Sequence, residues 1–333
     1  MKNLSKLSFM LTLMTGTLIT ICSNSWMGMW IGLEINLLSI VPLMTSKNNK
    51  MESEAAMKYF ITQAFASAIF LSVIIMVLPL DNQMSKIQTI VINSAIFTKM
   101  GAAPFHFWFP EVLEGLNWIN STIMLTWQKI APMVIVLQTN KSMFFFSIIM
   151  FISMMTSGIM GINQTSMKKI LAYSSINHMG WMIGAIMVNQ STWLIYLIMY
   201  SLMTVNVTMM MKTLNISNIN QMINSMNNNK SIKLGFSLNF LSLGGIPPFI
   251  GFFPKWIVIN SMINNKMFLL TFMMIISTLM TLFFYIRISM ISLIMTQTET
   301  SITTKKPSSP SIMKFNFMIL GSLALTPLLM NFV

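Results

Sequence analysis

Eleven apolar runs of roughly twenty residues each, the length a bilayer-spanning helix needs, occupy about two thirds of this 333-residue chain. They lie near 7–22, 25–44, 58–78, 86–104, 120–139, 143–161, 170–189, 192–211, 234–259, 266–295 and 315–332. Lipid offers no hydrogen bonds, so a spanning segment must satisfy its backbone internally, as a helix does. The pattern therefore predicts an all-α polytopic membrane protein with about eleven transmembrane helices, folded as one domain over 1–333. Connections are short. Only 212–233, rich in Asn, and 296–314, rich in Ser, Thr, Lys and Pro, read as loops. Lys2 and Lys6 ahead of the first run imitate a secretory signal, but no small-residue cleavage site follows, so that run is read as a retained span.

Charge supports this reading and sets the topology. Charged residues make up 8% of the chain, against about 25% in soluble domains. Too few remain to cover a water-facing surface, which argues against a soluble enzyme or a disordered chain. The net charge of +13 is scattered among apolar runs rather than gathered in a basic stripe, so no nucleic-acid partner is expected. Cys22 is the single cysteine, too few for a disulfide, a zinc cluster or iron–sulfur ligation within one chain. Of sixteen loop lysines, thirteen fall on the side that holds the N-terminus and three (Lys86, Lys141 and Lys266) on the other. The positive-inside rule makes the first side cytoplasmic or its organellar equivalent.

The remaining basic residues, Lys99, Lys129, Lys255 and Arg287, lie inside spans, as do Glu34 and His178; His106 sits at a span end. A charge at a helix centre costs about 2.5–3.5 kcal/mol on insertion scales, and such groups commonly line proton or ion paths. At about 1.5 Å rise per residue, Glu34 and Lys99 sit at matching depth with opposite sign, which predicts an ion pair near the midplane. Lys129 is also central, whereas Arg287 is placed to snorkel toward a span end. Glu111 and Glu114 read as solvated loop carboxylates, and the 39 methionines as lipid-facing or core filler rather than a metal site.

Two stretches repeat at an offset of 144: Gly-Ala-Ala-Pro-Phe-His-Phe-Trp-Phe-Pro at 101–110 and Gly-Ile-Pro-Pro-Phe-Ile-Gly-Phe-Phe-Pro at 245–254. Proline inside a helix removes a hydrogen bond and clashes with the preceding turn. Helix breaks are therefore predicted at Pro104 and at Gly244, Gly245, Pro247 and Pro248, in the fourth and ninth spans. Spans five apart run in opposite directions, so matching breaks predict two inverted five-helix halves, roughly 25–139 and 143–295, with flanking helices 7–22 and 315–332. A site is expected at the breaks.

The same residues carry a family resemblance. The stretches Gly-Thr-Leu-Ile-Thr at 16–20, Trp-Ile-Gly-Leu-Glu-Ile-Asn at 30–36, Glu-Ala-Ala-Met-Lys-Tyr-Phe at 54–60, Thr-Trp-Gln-Lys-Ile-Ala-Pro at 126–132, Lys-Ile-Leu-Ala-Tyr-Ser-Ser-Ile-Asn-His-Met-Gly-Trp at 169–181, Leu-Ser-Leu-Gly-Gly-Ile-Pro-Pro at 241–248 and Gly-Phe-Phe-Pro-Lys-Trp at 251–256 resemble, in order, the family of NADH dehydrogenase (ubiquinone) subunit 2 chains of mitochondrial respiratory complex I, in its arthropod-like form. The stretches 212–233 and 296–333 match only in their apolar pattern. The methionine content, and lysines outnumbering arginine 19 to 1, look like an AT-rich organellar genome.

This family is similar to sodium/proton antiporters. The resemblance implies a proton path through Glu34, Lys99, Lys129, Lys255 and His178, from the matrix to the intermembrane space. The N-terminus would lie on the matrix side of the inner mitochondrial membrane and the C-terminus on the other. It implies no cofactor or metal on this chain, with NADH, FMN, iron–sulfur clusters and ubiquinone on other subunits. Expected partners are other membrane-arm subunits, including antiporter-like neighbours, and membrane lipids, cardiolipin among them. Two alternatives stay open: a free-standing cation/proton antiporter of the same superfamily, and a structural subunit whose ionisable residues only fix packing.

Overall fold

The computed structural model describes residues 2–45, 49–77, 85–226, 230–247 and 249–294. Among them every regular element is helical, apart from one isolated bridge between Ser166 and Asn218. The chain forms two compact units, 1–149 and 150–333, and their boundary falls within one helix. The predicted span 315–332, the predicted loop 296–314 and Pro248 lie outside the described residues.

The first unit holds α1 (Lys2–Cys22), α2 (Trp26–Met44), α3 (Lys50–Val77), α4 (Lys86–Met100), α5 (Trp108–Gly115), α6 (Trp118–Leu125), a 3-10 turn (Trp127–Lys129) and α7 (Ile130–Gln138). The α1–α2 contact is built from small residues. A Cβ on Gly32 would lie 2.8 Å from both the Gly16 carbonyl oxygen and the Thr20 amide nitrogen. Helices in lipid gain little from hydrophobic contact and associate through such close backbone approach. Gly32→Val is expected to separate α1 from α2 and reduce the protein recovered from membranes. Unchanged yield and thermal stability would contradict that packing role.

α3 starts eight residues ahead of its apolar run. Its first turns are polar and locally paired: Asn49 Nδ2 donates to Glu52 Oε1 at 3.0 Å, and Lys58 bridges Glu54 at 3.1 Å and Glu111 at 3.0 Å. All three members of that exposed cluster are about half solvated, consistent with Glu111 as a surface carboxylate. Inside the spans, serine and threonine hydroxyls mostly donate to carbonyls one turn back, as Thr17 does to Met14 and Ser39 to Asn36. That satisfies them without water.

α8 (Met143–Ile162) carries the chain across the boundary. The second unit continues with α9 (Met167–Val188), α10 (Gln190–Leu214), α11 (Ile219–Met226), α12 (Lys230–Gly244), α13 (Phe252–Asn264) and α14 (Phe268–Ile294). α9 is buried on all sides from Ser174 to Met187 and packs on α10, α13 and α14. α11 corrects the reading of 212–233 as loop throughout. Its Met222 and Ile223 are buried, and Gln221 Oε1 accepts from the Ser217 amide at 3.0 Å. Two apolar side chains per two turns are enough to hold such a helix once the rest of the unit covers them.

Among the described residues, six helices are long and apolar enough to cross a membrane: α1, α2, α3, α8, α10 and α14. Of the further predicted spans, the fourth stops short and the fifth and ninth are divided. The fourth run ends as α4, with α5 after a loop; the fifth is α6, a 3-10 turn and α7; the ninth is α12 and α13. The fifth run was expected to be continuous. Pro132 explains the interruption: it has no N–H for the Gln128 carbonyl, and its ring crowds that carbonyl.

Candidate functional site

Both predicted breaks are present, and five backbone bonds recur at matching positions in them. α4 stops at Met100, and Gly101 adopts φ +76; α12 stops at Gly244, and Gly245 adopts φ +75. A left-handed residue just past a helix end favours glycine, because a Cβ is strained there. In the first break the Gly101 amide donates to the Phe97 and Thr98 carbonyls, Ala102 to Phe97, Phe105 to Ala102 and Phe109 to His106. In the second, Gly245 donates to Leu241 and Ser242, Ile246 to Leu241, Phe249 to Ile246 and Phe253 to Ile250. Each pair is separated by the offset of 144 seen in the sequence. Pro104 and Pro247 lie within the two breaks.

The breaks differ in how the freed carbonyls at the helix end are satisfied. In the first, Trp108 Nε1 donates to the Thr98 carbonyl at 3.0 Å and Gln63 Nε2 to the Lys99 carbonyl at 3.2 Å. In the second, Lys255 Nζ reaches back to the Gly244 carbonyl at 2.6 Å. A cation at a helix C-terminus also faces the negative end of the helix dipole. The lysine chain fills the space that a side chain on Gly245 would take, since a Cβ there would lie 2.8 Å from Nζ.

Lys99, Lys129, Lys255 and His178 are 8%, 2%, 6% and 1% exposed, so all four are enclosed by protein rather than snorkelling. In the first unit, Lys99 stands in the last turn of α4 beside a polar cavity large enough for about one water molecule. Asn36, Tyr59, Gln63, Lys99, Gln128 and Pro132 line it, with Leu33 and Leu37. Gln128 Nε2 donates to Asn36 Oδ1 at 2.9 Å, and Tyr59 Oη donates to Gln128 Oε1 at 3.5 Å. Lys129 follows directly in the 3-10 turn, its Nζ 6.0 Å from the centre of the Phe109 ring on α5.

Glu34 is half-buried on α2, and its Oε1 is buried without a hydrogen-bond partner. The predicted direct ion pair with Lys99 is not formed. The two attract through space, while Lys58 makes close ion pairs with Glu54 and Glu111. The physical reason is the placement of α3. It packs on both α2 and α4 and inserts Tyr59 and Gln63 at the cavity. Those two residues, with Asn36 and Gln128, are functional candidates that charge-based reading passed over. Their signal was available: Tyr59 and Gln63 are polar groups one turn apart on one face of an apolar run.

In the second unit, His178 Nδ1 is 2.8 Å from Tyr196 Oη, and the His178 ring centre is 4.9 Å from that of Tyr200. Tyr285 on α14 packs against Gly244, 3.5 Å from where a Cβ would stand. Asn177, beside His178, donates to Thr281 at 3.2 Å. Tyr285 thus stands beside the helix end that Lys255 caps. Arg287, about two turns before the end of α14, is partly buried, with Nε enclosed and without a hydrogen-bond partner.

Residues 23–281 match the family model described as NADH:quinone oxidoreductase/Mrp antiporter, transmembrane region. Among curated proteins, the chain is 45% identical to NADH-ubiquinone oxidoreductase chain 2 of Anopheles gambiae, over 98% of each. It is 43% identical to the protein of that name from Locusta migratoria, over 90% of this chain and 88% of the relative. Among solved structures, a chain of respiratory complex I from Thermus thermophilus superposes with a TM-score of 0.84 at 21% identity, covering 98% of this chain and 79% of that one. A chain of the Mrp complex from Dietzia sp. gives 0.77 at 12% identity, covering 91% and 64%. At these identities the two structures show a shared fold.

Proposed function

The chain belongs to the NADH-ubiquinone oxidoreductase chain 2 family, and from that premise we propose that it is a proton-translocating membrane-arm subunit of respiratory complex I. It moves protons from the matrix to the intermembrane space while electrons pass from NADH to ubiquinone on other subunits. Glu34, Lys99 and Lys129 in the first unit, and His178 and Lys255 in the second, carry the protons. The observation that carries this reading is Lys99: an enclosed lysine at a helix break, beside a polar, water-sized cavity, with a carboxylate acting on it through space. A group so placed can exchange a proton with a water and respond to a change of charge nearby.

In this proposal Glu34 holds the Lys99 proton. A charge change arriving from a neighbouring subunit weakens that attraction, and Lys99 releases its proton into the cavity toward Gln128 and Lys129. Lys255, resting on the Gly244 carbonyl, exchanges the proton of the second unit, with His178 and its tyrosines alongside. The matched breaks support two inverted halves, 25–139 and 143–295, within an eleven-span protein whose N-terminus faces the matrix of the inner mitochondrial membrane. The partners in this reading are other membrane-arm subunits and lipids, including cardiolipin. NADH, FMN, iron–sulfur clusters and ubiquinone belong to those other subunits; Cys22 alone cannot ligate a cluster.

A free-standing cation/proton antiporter would share the fold and would depend on sodium or potassium rather than on NADH. The 45% identity to a chain of the NADH-ubiquinone oxidoreductase favours the respiratory reading. The test is Glu34→Gln in the assembled complex, with NADH:ubiquinone turnover and proton ejection followed on the same sealed membranes. Turnover and ejection are expected to fall together. Unchanged turnover and unchanged protons per electron would make the buried charges structural.

A further inference from the structure

We propose that Gln128 is a positioning residue that holds the passage from the Lys99 cavity to Lys129, through its paired hydrogen bonds with Asn36 and Tyr59. The inference rests on the proton-path reading above and names the group that joins two of its members.

Gln128 occupies an unusual place in the chain. Pro132 breaks the helix over Trp127–Lys129, and Thr126 takes φ −114, ψ −69. In a continuous helix, residues 128 and 129 would point about 100° apart along one regular spiral. Here the 3-10 turn sets the Gln128 amide at the cavity that Lys99 also lines, while Lys129 lies toward the Phe109 ring. Gln128 is thus the last polar side chain between the cavity and Lys129 along the backbone.

Its amide has one favourable sense. Nε2 donates to Asn36 Oδ1 at 2.9 Å, and Oε1 accepts from Tyr59 Oη at 3.5 Å. Turned over, the amide would set its own oxygen against the Asn36 oxygen, so it can reverse only if Asn36 reverses as well. Two amides that must turn together form a two-state element. The charge on Lys99, across the same small cavity, bears on which state is lower: a protonated ammonium favours carbonyl oxygens toward the cavity, a neutral amine favours an N–H. Gln128 touches no reacting atom in this account; it orders the water and sets the direction in which Lys99 can discharge.

The test uses Gln128→Met, which keeps the side-chain length and removes both hydrogen bonds, in the intact membrane-bound complex. Loss of a bond pair of this kind is expected to slow turnover by about fivefold. The solvent deuterium isotope effect on turnover should rise, because the proton step in this chain then limits the rate. Gln128→Glu, isosteric and able to carry a proton, should recover part of the rate with a displaced pH profile. A merely structural residue would leave the isotope effect and the pH profile where they were. If Gln128→Met has the turnover, isotope effect and pH profile of the unsubstituted complex, the inference is overturned. Should Gln128→Met prevent assembly, Tyr59→Phe, which removes one oxygen, decides: a raised isotope effect supports the inference and an unchanged one overturns it. Lys99→Met measured alongside separates the two levels. If it slows turnover and the Gln128 variants do not, only this inference fails; if it has no effect either, the proton-path reading fails with it.

Discussion

Lys99→Met is expected to reduce NADH:ubiquinone turnover of the assembled complex by roughly a hundredfold, the lower end of what removing a positioned proton-transfer group does. Methionine matches lysine in length and packs well in irregular apolar surroundings, so the end of α4 and its left-handed Gly101 should be kept. The Lys99 carbonyl would still accept from Gln63, because that bond is made by the backbone. What is lost is the exchangeable proton beside the cavity and the attraction to Glu34. Blue-native electrophoresis would show normal assembly while turnover falls. Normal turnover in a fully assembled complex would mean that the lysine is not on the path.

Lys255→Met should act on two levels. Removing Nζ leaves the buried Gly244 carbonyl without its 2.6 Å partner, a loss of about 1–3 kcal/mol, so the assembled complex should become less heat-stable as well as slower. The contrast with Lys99 is itself a prediction, since Lys99 does not cap its own helix break through its side chain. Gly245→Ala should reproduce both effects with the lysine still present. The new methyl would stand where Lys255 Nζ and its neighbouring methylenes now lie, at a φ of +75 that alanine disfavours. A Gly245→Ala complex with normal thermal stability and turnover would show that the lysine can rest elsewhere.

Long-range organisation was legible in the sequence where it depended on large, local effects. Proline and glycine dictate backbone at 101–110 and 245–254 whatever surrounds them, and both breaks appear where the residues put them. Desolvation of a charge is also large, so Lys99, Lys129 and Lys255 could be expected to be enclosed, and they are. Less legible was everything that depends on weak or relayed contacts. Pro132 sat within a stretch read as continuous helix, because one proline in a long apolar run does not fix whether the helix bends or breaks. α11 is eight residues of mixed polarity, held by Met222 and Ile223 against neighbours the sequence does not identify. Depth arithmetic set Glu34 level with Lys99 but could not show that α3 places Tyr59 and Gln63 at the cavity beside Lys99. Neutral polar residues such as Asn36 and Gln128 carry no charge penalty to announce them, although they form the wall of the cavity.

The central claim is that protons pass through this chain by way of Lys99. The most direct measurement is the number of protons ejected per NADH oxidised, in sealed membranes carrying Lys99→Met complex, at the residual turnover that remains. The account predicts that this ratio falls below that of the unsubstituted complex, along with the rate. A ratio equal to that of the unsubstituted complex, at equal turnover, would contradict it.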